Sequence, residues 1–153
     1  FSLNEDASRS IAHMAGGSYT TAVRLLHEND ENNYNFDLFK NMMRASVVRN
    51  IKDIKAIANE LGGIGREKQK SFLLNSLRLF REYFISNLKI PEMVYLNDSE
   101  KEFGVRFAPF VNEENIEEFD REFQTAYRQI EQNGNARIIF LDLCLKCTML
   151  LKN

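Results

Sequence analysis

Cys144 and Cys147 form a C-x-x-C pair, a spacing that in other settings indicates a zinc site or a redox site. Structural zinc needs four ligands, and a redox pair needs an exposed helix N-terminus that lowers the pKa of a thiol. The sequence has no second cysteine pair, and His13 and His27 are distant along the chain. The pair also lies inside an apolar stretch. We therefore interpret both cysteines as small buried core residues and expect no metal site.

A glycine-rich segment, Gly62, Gly63 and Gly65, precedes Arg66 and raises the question of a phosphate-binding loop. The G-x-x-x-x-G-K-[ST] pattern does not occur in the sequence, and no strand pattern precedes these glycines. We predict that they end one helix and form the turn before the next. No Ser, His and Asp set is indicated, so the residues predict neither a catalytic group nor a cofactor.

The most basic short segment follows directly, with Arg66, Lys68 and Lys70 at the predicted start of a long helix. Such a cluster can contact a phosphate backbone or an acidic neighbouring subunit. Glu67 interrupts the run, and the run is short. We favour a solvated helix start and keep the three residues as interface candidates.

The elements that position these residues are predicted to be helices. The chain has 153 residues with a net charge of −2, and only 7 Gly and 2 Pro supply turns, too few for a many-stranded β fold.

The small net charge excludes a strong global attraction to nucleic acid or anionic lipid. We find no signal peptide, and the apolar runs are too short to span a bilayer, so we expect a reduced, cytoplasmic protein with no membrane contact. The chain begins with Phe1, and we expect it to be part of a longer protein.

Apolar periodicity predicts an all-α chain with two parts, residues 1–33 and 34–153. The first part reads as two short helices, one ended by Gly16 and Gly17 and one capped by Ser18 and ended by the polar stretch 28–33. The second reads as a bundle of about five helices. Its first two predicted helices have periodic apolar residues, one over 36–47 and one from residue 51 that is capped by Asn50. A long helix over about 66–88 follows, and then an aperiodic connection over 91–111 with room for a short helix. The last two predicted helices are one that starts at Asn112 and a nearly all-apolar one over 136–151.

Two stretches carry a resemblance to the subunits of bacterial DNA polymerase III clamp loaders. The segment Ile11–Leu26 resembles the A-x-x-A-x-G-S-x-x-x-A-L segment of the AAA+ lid, and Asn133–Leu143 is similar to the N-x-N-P-x-L-x-L-E-x-L-L opening of the last collar helix. The resemblance implies that 1–33 is the end of a lid and 34–153 a helical collar domain. Gly17, Ser18 and Thr20 match the lid motif, but ATP-binding subunits carry an arginine where Thr20 stands, and Thr cannot form that charge-assisted phosphate contact. The chain therefore resembles most the delta-prime type, with no cofactor implied.

The resemblance also implies a mechanical function. In this family collar domains pack side by side into a ring, so the expected partners are clamp-loader subunits of the gamma/tau and delta types, with DNA and the sliding clamp reached only through the full assembly. The last helix and the aromatic residues between Tyr95 and Phe110 are expected near that interface, with core burial as the alternative for each. The interface candidates are Arg66, Lys68, Lys70, Phe107, Phe110 and Phe140. The alternative functions are a standalone helical adaptor and, third, a small helical enzyme or ligand carrier.

Overall fold

The computed structural model of the chain describes residues 19–151. Within that range there are six α-helices, two short 3₁₀ turns and no β-strand, which confirms the prediction of an all-α helical bundle. The helices are α1 (Tyr19–Val48), α2 (Ile51–Gly63), α3 (Arg66–Ser86), α4 (Asp98–Phe107), α5 (Ile116–Glu131) and α6 (Ala136–Leu150). The chain divides into two compact units, one that ends at Tyr34 and one that begins at Asn35.

The helix α1 corrects the prediction that the polar stretch 28–33 ends a short second helix, because the helix continues without interruption through that stretch. The stretch contains neither Gly nor Pro, and its Asp, Asn and Glu residues cost only a few tenths of a kcal/mol each in a helix. Arg24 and Glu28 also form an i,i+4 ion pair at 3.9 Å. The predicted helix over residues 4–15 and the Ser18 cap lie outside the described residues.

Asparagine side chains cap three of the helices. Asn50 Oδ1 accepts the Asp53 N–H at 3.2 Å, as predicted, and Asn135 Oδ1 accepts the Ile138 N–H at 3.2 Å. At α4, Asn97 and Glu100 form a reciprocal capping box. These caps satisfy amide groups that the first turn of a helix leaves without partners, and so they determine where α2, α4 and α6 begin.

The segment 91–111, predicted as an aperiodic connection, contains the ten-residue helix α4 between two 3₁₀ turns, Pro91–Met93 and Ala108–Phe110. The helix α5 begins at Ile116 and not at Asn112. Asn112 Oδ1 accepts the N–H groups of Glu114 and Asn115 in a turn, and the Asn115 side chain donates to the carbonyls of Phe110 and Leu150. The contact with Leu150, which is distant in sequence, shows why the start of α5 depends on tertiary structure.

The core is centred on α3, which buries Phe72, Leu73, Leu79, Phe80 and Tyr83. Phe80 stacks on Phe119 of α5 with ring centroids 4.3 Å apart, and Phe72 meets Phe140 of α6 edge-on at 6.1 Å. Phe39 of α1 approaches Phe80 at 5.2 Å. Helix α3 packs on α5, α2 on α6, and α5 on α6. Edge-to-face and offset aromatic contacts of this kind add to the free energy of burial.

Candidate functional site

The predicted basic cluster lies at the junction of α3 with the end of α5. Arg66 Nη1 donates to Asn133 Oδ1 at 2.6 Å, and Lys70 Nζ lies 3.7 Å from Glu131 and 3.8 Å from Glu67. Lys68 is exposed. Arg66 and Lys70 therefore connect α3 to the α5–α6 turn, and their charges are partly engaged within the domain.

The three predicted interface aromatics lie at different depths. Phe140 is fully buried, and Phe107 is buried beside Phe39 and Tyr83, at centroid distances of 5.7 and 5.6 Å. Phe110 is half-buried and stacks on Phe107. The structure brings Phe107 and Phe110 together near α4, and it places Phe140 in a different part of the core. Of the lid-motif residues, Gly17 and Ser18 lie outside the described residues, and Thr20 lies in the first turn of α1.

The two thiols of the C-x-x-C pair are core groups, as predicted. Both cysteines are buried on α6. Burial raises the pKa of Cys144 to about 12 and raises the pKa of Cys147 well above its ordinary value. At neutral pH both thiols are protonated, and thiolate is the form that binds metal or attacks a disulfide. Over residues 19–151 no group of His, Cys, Asp and Glu is arranged to hold a metal ion.

The last helix has two apolar faces, of which only one is buried. Phe140, Leu143, Cys144 and Cys147 face the core. On the other side Ile138, Leu145 and Met149 are 65%, 41% and 72% exposed. The spacing of seven and then four residues aligns these three along one side of the helix. We call them the α6 stripe.

The α6 stripe lies beside a fixed charged group. Lys146 Nζ lies 2.8 Å from Glu122 of α5 and 2.9 Å from Asp142. These two side-chain hydrogen bonds, with Glu122 the larger contributor, raise the pKa of Lys146. The contact with Glu122 connects α6 to α5, so the stripe is carried on a helix held to its neighbour by both core packing and an ion pair.

A second surface, the α1–α4 groove, runs between the end of α1 and α4 and encloses about 710 Å³. Its floor is Met43 and Phe107, both buried. Its other lining residues are Lys40, Arg44, Val47, Val48, Ser99, Glu102, Phe103, Val105, Arg106 and Phe110. Apolar periodicity does not reveal this groove, because residues 91–111 have no regular apolar spacing. The Asn97-x-x-Glu100 pattern was the signal that could have placed a helix there.

A smaller depression of about 270 Å³ lies between α3 and α5, where Phe80, Phe84 and Ile116 line it with Asp120.

No helix in the described part of the chain is both long enough and apolar enough to cross a membrane. No protein-family model, curated protein or solved structure matches this chain.

Proposed function

We propose that this chain is a non-catalytic assembly domain of a clamp-loader subunit, a collar of the delta-prime type that supports loading of the sliding clamp in the cytoplasm. Its partners are the gamma/tau and delta types of subunit, and DNA and the clamp are reached through the whole assembly. The observation that carries the proposal is the α6 stripe. It lies on the helix whose opening, Asn133–Leu143, carries the resemblance to the last collar helix.

The physical argument begins with exposed apolar area. Ile138 and Met149 leave most of their side-chain surface in water, and each square ångström of apolar surface removed from water contributes about 25 cal/mol. A stable interface usually combines apolar residues with polar ones, and here Asp142, one turn after Ile138, and its ion-pair partner Lys146 are the polar residues beside the apolar side chains of the stripe. A lateral contact through α6 requires no change in the core, since the buried face of the helix is separate.

The test is light scattering after size exclusion of this chain mixed with the collar-containing part of an ATP-binding clamp-loader subunit from the same cell. We expect a stable complex at micromolar concentration, and we expect Ile138→Glu with Met149→Glu to abolish it. Leu74→Glu, at another exposed apolar position, is the matched control and should leave the complex intact. The proposal would be refuted if the two folded partners do not associate. It would also be refuted if the complex forms equally well with the Ile138→Glu/Met149→Glu variant.

A standalone adaptor that binds a partner in a groove is the second candidate. The α1–α4 groove favours it, because the exposed side chains of Val48 and Val105 give the groove apolar walls that a partner protein can cover. This alternative would be favoured if substitutions in the α1–α4 groove abolish the complex and the Ile138→Glu/Met149→Glu variant still forms it.

A further inference from the structure

The α1–α4 groove combines exposed apolar side chains with positive charge. Val48 of α1 and Val105 of α4 are 70% and 79% exposed, and Val47 is also exposed. Between these walls Phe103 and Phe110 are half-buried. The groove therefore exposes apolar side chains on both helices, and water covers them in the free chain.

The charges at the rim are mainly basic. Lys40, Arg44 and Arg106 line the groove against one acid, Glu102. The Arg44 guanidinium lies over the Phe103 ring at 5.6 Å, and Lys40 pairs with Asp37 at 3.3 Å and lies 4.8 Å from the Phe36 ring. Among residues 19–151, Arg44 and Arg106 have no ion-pair partner. Two guanidinium groups are thus available to an occupant of the groove.

We propose that the α1–α4 groove binds an acidic amphipathic helix of a partner protein. An amphipathic helix places apolar residues at positions i, i+3 or i+4, and i+7 in an apolar groove, which suits the exposed apolar side chains on both α1 and α4. Aspartate and glutamate at the edges of that apolar face would meet Arg44 and Arg106. Charge complementarity of this kind determines specificity and accelerates association.

The charges also disfavour a second copy of this chain. A twofold contact would place the same groove against itself, so that a rim with three cations, Lys40, Arg44 and Arg106, and one acid, Glu102, would face an identical rim. Like charges at close range oppose association. The exposed valines distinguish the groove from a phosphate-binding surface, which needs cations and polar groups in place of apolar walls. The groove shares no residue with the α6 stripe, so this proposal does not depend on the proposed function.

The experiment is a selection of displayed helical peptides on the whole chain, with counter-selection on Val48→Glu/Val105→Glu. We expect enriched peptides with an apolar face bordered by Asp and Glu. For the best peptide, synthesised with a fluorescent label, Arg44→Glu/Arg106→Glu should raise Kd by about tenfold or more, and added salt should weaken binding. Lys101→Glu, an exposed charge reversal on α4 outside the groove, is the control and should change Kd less than about twofold.

Several outcomes would overturn the proposal: no peptide enriched over the counter-selected variant, enriched peptides that are basic, or equal effects of the control and groove variants. A labelled oligothymidine that binds more tightly than any peptide, with the same dependence on Arg44 and Arg106, would assign the groove to nucleic acid. Dimerisation lost in the valine variant would assign it to a second copy. If that double variant fails to fold by circular dichroism, Arg106→Glu alone, at an exposed position, serves as the counter-selection.

Discussion

Arg78 of α3 donates a hydrogen bond from Nη2 to Oε2 of Glu100 in α4 at 2.6 Å, and the Glu100 side chain is only 3% exposed. The other carboxylate oxygen of Glu100 accepts the Asn97 N–H at 3.0 Å. The backbone carbonyl of Glu100 in turn accepts the Tyr83 hydroxyl at 2.8 Å. One residue therefore caps α4 and connects it to α3, and by that contact it positions one wall of the groove.

The first prediction concerns this ion pair. Glu100→Ala should lower the free energy of unfolding by about 2–3 kcal/mol, because it removes the ion-pair partner of Arg78, which keeps only its hydrogen bonds to Asn75 and Tyr95, and removes half of the capping box. Glu100→Gln keeps an oxygen that can accept the Asn97 N–H and should cost less. Urea denaturation measures both, and Glu102→Ala, an exposed acid on the same helix, should change stability by less than about 0.5 kcal/mol. Equal effects of Glu100→Ala and Glu102→Ala would contradict the role of the pair.

The second prediction concerns the close approach of α4 to α3. A Cβ added at Gly104 would lie 2.7 Å from Cε1 of Tyr83, whose ring is fully buried. Gly104→Ala should therefore lower the free energy of unfolding by about 1–3 kcal/mol. At Gly63 nothing lies within 4 Å of the added Cβ, so Gly63→Ala should be neutral or stabilising by up to about 1 kcal/mol. The melting temperature of Gly104→Ala should fall below that of the unsubstituted chain, whereas that of Gly63→Ala should stay the same or rise. A Gly104→Ala variant as stable as the unsubstituted chain would show that α3 and α4 separate easily to make room for the added Cβ.

The third prediction concerns thiol accessibility. Cys144 and Cys147 are free and buried, so a disulfide reagent such as dithionitrobenzoate should react with neither at pH 8 in the folded chain. Both should react in denaturant, which gives the matched control on the same sample. Fast reaction of either thiol without denaturant would place it at the surface.

The fourth prediction concerns pH. The folded pKa of Cys144 is about 12 against an ordinary value of 9.0, and that of Cys147 is raised too. Above about pH 9 the unfolded chain loses thiol protons that the folded chain keeps, so the contribution to stability is complete below that pH and declines as pH rises. Urea denaturation between about pH 8 and 10 should show this decline. Cys144→Ala/Cys147→Ala should flatten the curve over that interval, whereas an unchanged slope would assign the decline to other groups.

The fifth prediction separates the two faces of α6. Phe140→Ala should cost about 3–5 kcal/mol, because it removes a fully buried ring that packs against Phe72. Ile138→Ala, two residues away, should change the free energy of unfolding by less than about 0.5 kcal/mol, since that side chain is largely in water. Thermal or urea unfolding measures both. A large loss at Ile138 would show that it packs against this chain and does not form a free surface.

The starts and ends of several helices could be predicted, because they depend on residues that are close together in the sequence. The Asn50 cap, the end of α2 at Gly63 and the start of α3 at Arg66 all follow from capping chemistry and apolar spacing. The burial of the cysteine pair followed in the same way from its apolar surroundings. The continuity of α1 was also a local property, and the prediction was wrong there because polar residues alone do not end a helix.

Other features depended on contacts between residues far apart in the chain. The apolar content of α6 is compatible both with the centre of the bundle and with an assembly surface. In the packed structure Phe140 is buried, whereas Ile138 and Met149 are exposed. Helix α4 gains its position from Arg78 and Tyr83, which lie on another helix. The sequence by itself therefore determined the all-α class, the Asn50 cap and the approximate bounds of α2, α3 and α6, whereas only the tertiary structure decided where α5 begins and which apolar side chains meet water. The physical reason is that periodicity describes one helix at a time, while burial is a property of the helices packed together.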